Sequence, residues 1–594
     1  MSRDLLRFLG GFTGRLGVLA LLIVAQSSLS VLPILVGQRL IDEGVMAGDP
    51  GRVWGFGLAF AGAAALHAVL VFAERGFAVR LGEDMVLRLR LDLYTHLQRQ
   101  SLGFFTAARA GAIVSRLHGD VTGVQRVVSS TIPAVVGAVV SLIVAGVALL
   151  AMEPRLALAL GVVMPVVYGA TTWVSRRLKS VSRRYLSANA DLDSKVAERF
   201  SVVGAETASL YVHPDRDRDV FRHNVVTIRN LVVRQALLGA GLSAFLTLAI
   251  GMAGAGAYVF SGLWVISGTV SFGMMVAMVA LLARLYNPIV TLAGVKVDLV
   301  TGLVSFGRVR EILDFAPRIC DAPDALELPR TGGACVEFSK VSFEYPASMD
   351  LVVPSLAGEL AAMEAPRGPV LGDFSLTIEP GMTVGLVGPS GSGKSTLARL
   401  LVRSWDVGSG RILIDGVDLR KIRLASLRNS VGVVTQTPFL FNGTIRANLL
   451  MAAPEADQEH LIEACRAAQI WGMIEAAPDG LDTMVGDGGM QVSGGERQRL
   501  AIARLLLTDP RIVILDEATS HLDNATEQAV QRALTPFMKG RTCLVIAHRL
   551  ATVRDAQLIV VMHEGRVVEQ GSHAHLDGMG GFYARLSRTH KETA

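Results

Sequence analysis

Charged side chains are scarce in this sequence. Asp, Glu, Lys and Arg together make up 18% of 594 residues, against a hydrophobic share of 51%. That is too little charge to coat several soluble domains in a chain of this length, and it points to membrane embedding. Cysteine is scarcer still. Cys320, Cys335, Cys465 and Cys543 form no CxxC and have no paired His ligands nearby, which argues against a disulfide framework and a zinc site and leaves free thiols in a reducing cytosol. No small-residue cleavage site follows the basic opening MSRDLLRFLGG, so the first apolar stretch is expected to stay as a membrane helix. Solenoid-length repeats and low-complexity tracts are missing too. A net charge of +5 would suit nucleic acid, but the Lys and Arg residues cluster beside apolar runs and fit no nucleic-acid motif.

Apolar runs of about 20 residues, the length that crosses a bilayer core, lie near 16–38, 54–73, 132–152, 156–174, 238–262 and 270–293. Six spans are therefore expected. The segments joining the second span to the third and the fourth to the fifth carry Arg75, Arg80, Arg88, Arg90, Arg176, Arg177, Arg183 and Arg184. The positive-inside rule places both segments, and with them both termini, in the cytoplasm. Helical periodicity persists in these segments, as in MVLRLRLDLYTHL, so the helices are expected to project beyond the membrane. Gly103 to Gly111 and His213-Pro214 are the expected points of reversal, and these tips could touch a cytoplasmic domain. Pro317, Pro323, Pro329 and Gly332-Gly333 then mark a linker, and β-type runs start at CVEFSKVSFEY. The division expected is a membrane domain over 1–315, a linker over 316–332 and a soluble α/β domain over 333–590.

The soluble part carries the chemistry. In TVGLVGPSGSGKST an apolar strand, Thr383 to Val387, runs straight into Gly388, Pro389, Ser390, Gly391, Ser392, Gly393, Lys394, Ser395 and Thr396. The spacing G-x-x-x-x-G-K-[ST] between a strand and a helix is that of a phosphate-binding P-loop, in which backbone N–H groups and a helix N-terminus surround an anion. Lys394 is expected to reach the β- and γ-phosphates and Ser395 to ligate magnesium. A second run, RIVILDEATS, is a continuous apolar strand ending in two carboxylates. Asp516 at the strand end suits magnesium coordination, and Glu517 suits polarising an attacking water as general base.

Between the two lies VSGGERQRLAIARLLL, and here the sequence resembles ATP-binding cassette (ABC) proteins. The resemblance implies that Ser493, Gly494 and Gly495 contact the γ-phosphate held by an opposite subunit. It implies that Tyr345 in VSFEYP stacks on adenine, and that Gln436 in VVTQTPFLF contacts magnesium and reports to the membrane domain. By the same resemblance Asp523 in SHLD lies at the dimer interface, and His548 in VIAHRL holds the γ-phosphate. Three positions depart from the common pattern: Val492 for Leu, Glu496 for Gln and His521 for Ala.

Six spans with long cytoplasmic extensions, FFTAARAGAIVSRLHGDV and a stretch ending SFGRVREILDF are similar to exporter-type half-transporters of this family, over nearly the whole chain. The fold implied is a six-helix membrane domain joined to an α/β P-loop NTPase domain of the ABC type. The function implied is ATP-driven transport across a bacterial inner membrane, with ATP and Mg2+ as cofactors and an amphipathic small molecule, lipid or peptide as cargo. The partner is a second half-transporter, and a homodimer is favoured over a heterodimer because no catalytic motif is missing. An importer on the same scaffold and an ATP-gated channel or receptor subunit use the same parts. A soluble cassette acting on nucleic acid is excluded by the spans. Arg284, inside the sixth span, either lines a cargo cavity or snorkels to the interface. His67 and Gln26 read as interhelical hydrogen-bonding residues. The segment 347–369 is longer than the usual connection at its place and reads as a surface elaboration.

Overall fold

Proline sets where the longest helices begin. Pro50–Gln98 (49 residues), Pro154–Arg199 (46 residues) and Pro214–Ile266 (53 residues) each open on a proline, whose fixed φ and missing N–H cost nothing in a first turn. At ~1.5 Å per residue these helices run about 70 to 80 Å, far more than the ~30 Å of a hydrocarbon core. The computed structural model describes residues 10–592, apart from 109, 201, 212–213, 330, 358–367, 487–490, 518–523 and 548–552. Among the described residues, Thr13–Val45, Pro50–Gln98, Gly111–Met152, Asp215–Ile266 and Phe272–Leu292 are long and apolar enough to cross a membrane. The remaining expected span, 156–174, falls inside the helix Pro154–Arg199.

The chain divides into two units, residues 1–95 with 114–314 and residues 96–113 with 315–594. In the first unit, Thr13–Leu29 packs on Ile132–Met152, and Pro214–Ile266 packs on both Pro154–Arg199 and Phe272–Arg284. Small apolar clusters join these helices, such as Phe12, Leu19 and Ile23 with Leu81, Met85 and Val128. Phe72 and Ile266 are more than four-fifths exposed, as side chains facing hydrocarbon rather than water would be. One close approach requires glycine: a Cβ on Gly273 would lie 2.5 Å from the Gln38 carbonyl oxygen. There Asp42 accepts hydrogen bonds from the Ser271 hydroxyl (2.5 Å) and the Gly273 N–H (2.7 Å), tying the first span to the start of Phe272–Arg284.

The expected reversals are partly moved. The long helix stops at Gln98, and the first extension then turns through the short helices Leu102–Ala107 and Ala110–Ser115. The second breaks earlier than expected, after Arg199, and interposes the helix Val202–Tyr211. Pro214 does open the returning helix, while His213 lies outside the described residues.

The second unit contains two sheets. Strands β1 (Val336–Phe343), β2 (Leu371–Ile378), β3 (Thr383–Val387), β4 (Ser409–Ile414) and β5 (Val417–Asp418) precede β6 (Val431–Val434), β7 (Ile512–Asp516), β8 (Thr542–Ile546), β9 (Leu558–His563) and β10 (Arg566–Gly571). An antiparallel sheet runs β2-β1-β4-β5, and a larger one runs β10-β9-β3-β8-β7-β6 with only β10 antiparallel. Both β7 and β8 are buried almost throughout, which is why their sequences are continuous apolar runs. Ligand sites in such sheets form beyond the carboxyl ends of the strands, and β3 and β7 both end there on the sequence motifs.

Two expectations need revision in this unit. The linker 316–332 is irregular but tied down: Leu326 exchanges backbone hydrogen bonds with Lys421 and Arg423 (2.8 and 2.9 Å), and Asp321 accepts from the Leu424 N–H (2.7 Å). The described part of the long connection, 347–357, is no surface elaboration. Leu351, Val352, Val353 and Leu356 are buried, and Ala357 forms an antiparallel bridge with Ala108. An apolar run inside a Pro- and Gly-bearing segment is buried because it covers the helix Leu102–Ala107. Residues 358–367 lie outside the described part.

Candidate nucleotide-binding site

The P-loop winds between β3 and the helix Lys394–Leu401. Gly388, Gly391 and Gly393 have φ of 151°, 83° and 96°, a backbone region that L side chains avoid. A Cβ on Gly388 would run into the Met562 carbonyl oxygen, whereas nothing lies within 4 Å of one on Gly391. The loop is closed on its β9 side and open at Gly391, so backbone N–H groups are accessible to an anion. Lys394 is buried and donates to the carbonyl oxygens of Gly388 (2.8 Å) and Pro389 (2.9 Å) and to the Ser392 hydroxyl (3.4 Å). Burial holds its ammonium below the ordinary lysine range, and the charges of Glu517 and Asp516 oppose that. Pro389 and Ser390 are exposed at the loop's crest.

Asp516 ends β7 with its carboxylate 3.4 Å from the Ser395 hydroxyl. Burial raises its carboxyl above the ordinary aspartate range, while Ser395 pulls it back down. Ser395 and Asp516 present hard oxygen donors of the kind magnesium takes alongside phosphate oxygens. No group of three or more His, Cys, Asp or Glu side chains is placed to hold a metal among the described residues, so the donor set fits an ion carried in by phosphate rather than a protein-only cage. Glu517 follows with a left-handed φ of 52°, which turns its side chain out of the strand's alternation. Its N–H donates to Ile546 O on β8 (3.0 Å), and its carboxylate accepts from the Gln436 amide at 2.6 Å.

Tyr345 sits after β1 beside the P-loop helix, its hydroxyl 3.1 Å from that of Thr396. Ser493 caps the helix Gly494–Thr508: its hydroxyl accepts from the Glu496 N–H (3.3 Å), and the Glu496 carboxylate accepts from the Ser493 N–H (2.7 Å). Ser493 and Gly494 are exposed at that helix N-terminus. Asp523 and His548 lie outside the described residues.

Residues 16–289 match the ABC transporter transmembrane region, and residues 371–520 match the ABC transporter domain. An ATP-dependent lipid A-core flippase of Chromobacterium violaceum is 35% identical over 96% of this chain and 94% of its own length. The chain belongs to the ABC transporter family. A fatty acid ABC transporter ATP-binding/permease protein of Mycobacterium bovis is 34% identical over 88% of this chain and 79% of its own. The structure of a bacterial Atm1-family ABC exporter with ATP bound is similar at a TM-score of 0.79 and 27% identity, covering 97% of this chain and 98% of that one. This transporter is thus an exporter-type half-transporter, a multi-pass membrane protein with one membrane half and one ATP-binding cassette on a single chain.

The cassette geometry also explains Glu496. Its position is the third of the helix, where Glu and Gln close a capping box equally well, so the departure from the common Gln leaves the helix N-terminus intact. Two residues of the transporter escaped the sequence reading. Gln498 is fully buried and donates to the Glu517 carbonyl oxygen at 3.2 Å; a polar residue at 498, on the same helix face as buried Ile502 and Leu505, was the available signal. Arg504 donates to Phe439 O (2.8 Å), Asn448 O (2.8 Å) and Asn448 Oδ1 (2.6 Å). It thereby anchors the segment that follows Gln436 to the helix headed by Ser493.

Proposed function

We propose that two copies of this chain form a homodimer that hydrolyses ATP and exports an amphipathic molecule, a lipid being the best-supported class, from a bacterial inner membrane. The domain division at 1–315, 316–332 and 333–590 belongs to this proposal. One cassette supplies Gly388 to Thr396, Asp516, Glu517, Gln436 and His548, with Tyr345 as adenine platform. The other supplies Ser493, Gly494 and Gly495, with Asp523 at the interface. The observation that carries the reading is the convergence of Lys394, Ser395, Asp516, Glu517 and Gln436 at the carboxyl ends of β3, β6 and β7. Relatives named for lipid A-core and fatty acids support a lipid cargo.

Ser395, Gln436 and Asp516 would hold magnesium, which neutralises phosphate charge when bound. Lys394 would exchange its hydrogen bonds to the loop's own oxygens for the β- and γ-phosphates. With its carboxylate hydrogen-bonded to Gln436, Glu517 is positioned to take a proton from the attacking water. Exposed N–H groups at the Ser493 helix end face an anion brought by the partner. Closure of the two cassettes then drives the cytoplasmic tips and switches the cavity outward, and hydrolysis resets it. Arg284 lines that cavity in this reading, supported by the rule that intramembrane charges face a bundle interior. Determining the mass and magnesium-dependent ATPase of the chain purified alone in nanodiscs tests the assembly. A dimer that hydrolyses ATP is expected; an inactive monomer that needs a different half-transporter would sink the homodimer.

A further inference from the structure

Trp405 follows the P-loop helix Lys394–Leu401 and stands between two parts of the machine. Its ring meets Tyr345 edge-on, with centroids 5.3 Å apart and planes at 87°. Phe343 closes the group, 4.9 Å from Tyr345 and 6.3 Å from Trp405. On the opposite edge the indole abuts the backbone of the helix Leu102–Ala107 at Gly103: a Cβ there would lie 2.5 Å from Trp405 Cη2 and 2.7 Å from Cζ3. No side chain larger than hydrogen fits between that helix and the ring. Leu351, from the long connection after β1, reaches the same point at 3.2 Å, and Phe104 packs on Phe315 at 5.8 Å. The helix is therefore gripped on several sides. Trp405 is 8% exposed and its Nε1 has no hydrogen-bond partner among the described residues, so packing against its neighbours orients the ring.

We infer that Trp405 is a positioning residue that links the cytoplasmic tip Leu102–Ala107 to the adenine platform Tyr345, so that the seating of the base, and with it the preference for adenine nucleotides, responds to the position of that tip. Movement of Gly103 along or away from the indole edge lets the ring rotate, and the edge-on contact carries that rotation to Tyr345. The far side of Tyr345 is held at its hydroxyl by Thr396 (3.1 Å) and Arg399 (3.4 Å), so the ring pivots about a fixed end instead of translating. Contact with the base changes while contact with the phosphates does not. The buried run Leu351 to Leu356 supplies the counter-wall that keeps the tip pressed on Trp405. The inference rests on the proposed reading of Tyr345 as the adenine platform.

The test uses the full-length chain and the ratio of KM values for UTP and ATP. Base recognition sets this ratio, and general weakening of the phosphate site leaves it alone. Tyr345→Ala is measured first, and an unchanged ratio there overturns the platform reading and this inference with it. Given a lowered ratio, Trp405→Ala and Gly103→Ala are each expected to lower it about 2- to 10-fold through KM for ATP, the range that an edge-on aromatic pair is worth. Trp405→Phe should keep most of the preference, because a phenyl ring still meets Tyr345. Phenylalanine lacks the outer edge that Gly103 touches, so Gly103→Ala with Trp405→Phe should recover the ratio that Gly103→Ala alone loses. A parent-like ratio in Gly103→Ala, or no recovery in the double variant, overturns the link.

Discussion

The side-chain amide of Gln436 donates to the Glu517 carboxylate across 2.6 Å, joining the loop after β6 to the end of β7. In the proposed mechanism this amide orients the Glu517 carboxylate as general base. Glu517→Gln keeps the shape and removes the basicity, so turnover should fall by about 10²- to 10⁴-fold while nucleotide binding persists. Magnesium-dependent ATPase measured beside equilibrium binding checks this. Unchanged turnover would remove Glu517 from the role.

Gln498 holds the other side of the same residue through the Glu517 carbonyl oxygen. Gln498→Ala removes that half-buried hydrogen bond, at a cost of about 0.5–1.5 kcal/mol, and loosens the turn that carries Glu517. A lower Tm together with slower turnover at saturating ATP is expected. Parent values for both would mean that the hydrogen bond holds nothing in place.

The cysteines separate by burial. Cys465 is pushed up to about 12 and Cys543 to about 11, in both cases by burial, whereas Cys320 is exposed. A folded-state value raised above the unfolded 9.0 adds stability below that value, and the contribution is lost as pH rises towards 11 or 12. Near neutral pH, maleimide should modify Cys320 in the native protein and spare Cys465 and Cys543 until denaturant is added. Mass spectrometry of the peptides reads this directly; equal labelling of Cys543 and Cys320 in the native chain would contradict the burial.

Local chemistry was legible and distant packing was not. A P-loop is readable because its glycines, lysine and serine are contiguous, and the apolar runs of β7 and β8 declare a buried sheet without reference to anything else. Long arginine-bearing helices announced extensions beyond the membrane. By contrast, nothing near Leu351 tells that it covers Gly103, since the two are far apart in sequence and neither belongs to a motif. Trp405 belongs to no motif either. Gln498 was hidden by its neighbours, because a glutamine between two arginines reads as a solvated helix face until its burial is known.

If, as proposed, the Arg284 guanidinium lines the cargo cavity, Arg284→Ala should change cargo-stimulated ATPase more than basal ATPase. Titrating a lipid-like stimulant against parent and variant in nanodiscs checks this. If both activities stay at parent values with expression intact, Arg284 snorkels to the interface.

The most direct measurement is ATP-dependent movement of a fluorescent lipid across inside-out vesicles containing only this chain. Lipid should move from the outer to the lumenal leaflet when magnesium and ATP are added outside, and Glu517→Gln should abolish the movement. ATP-driven movement in the opposite direction would contradict export, and vesicles that hydrolyse ATP without moving any amphipathic probe would contradict ATP-driven transport of this cargo class.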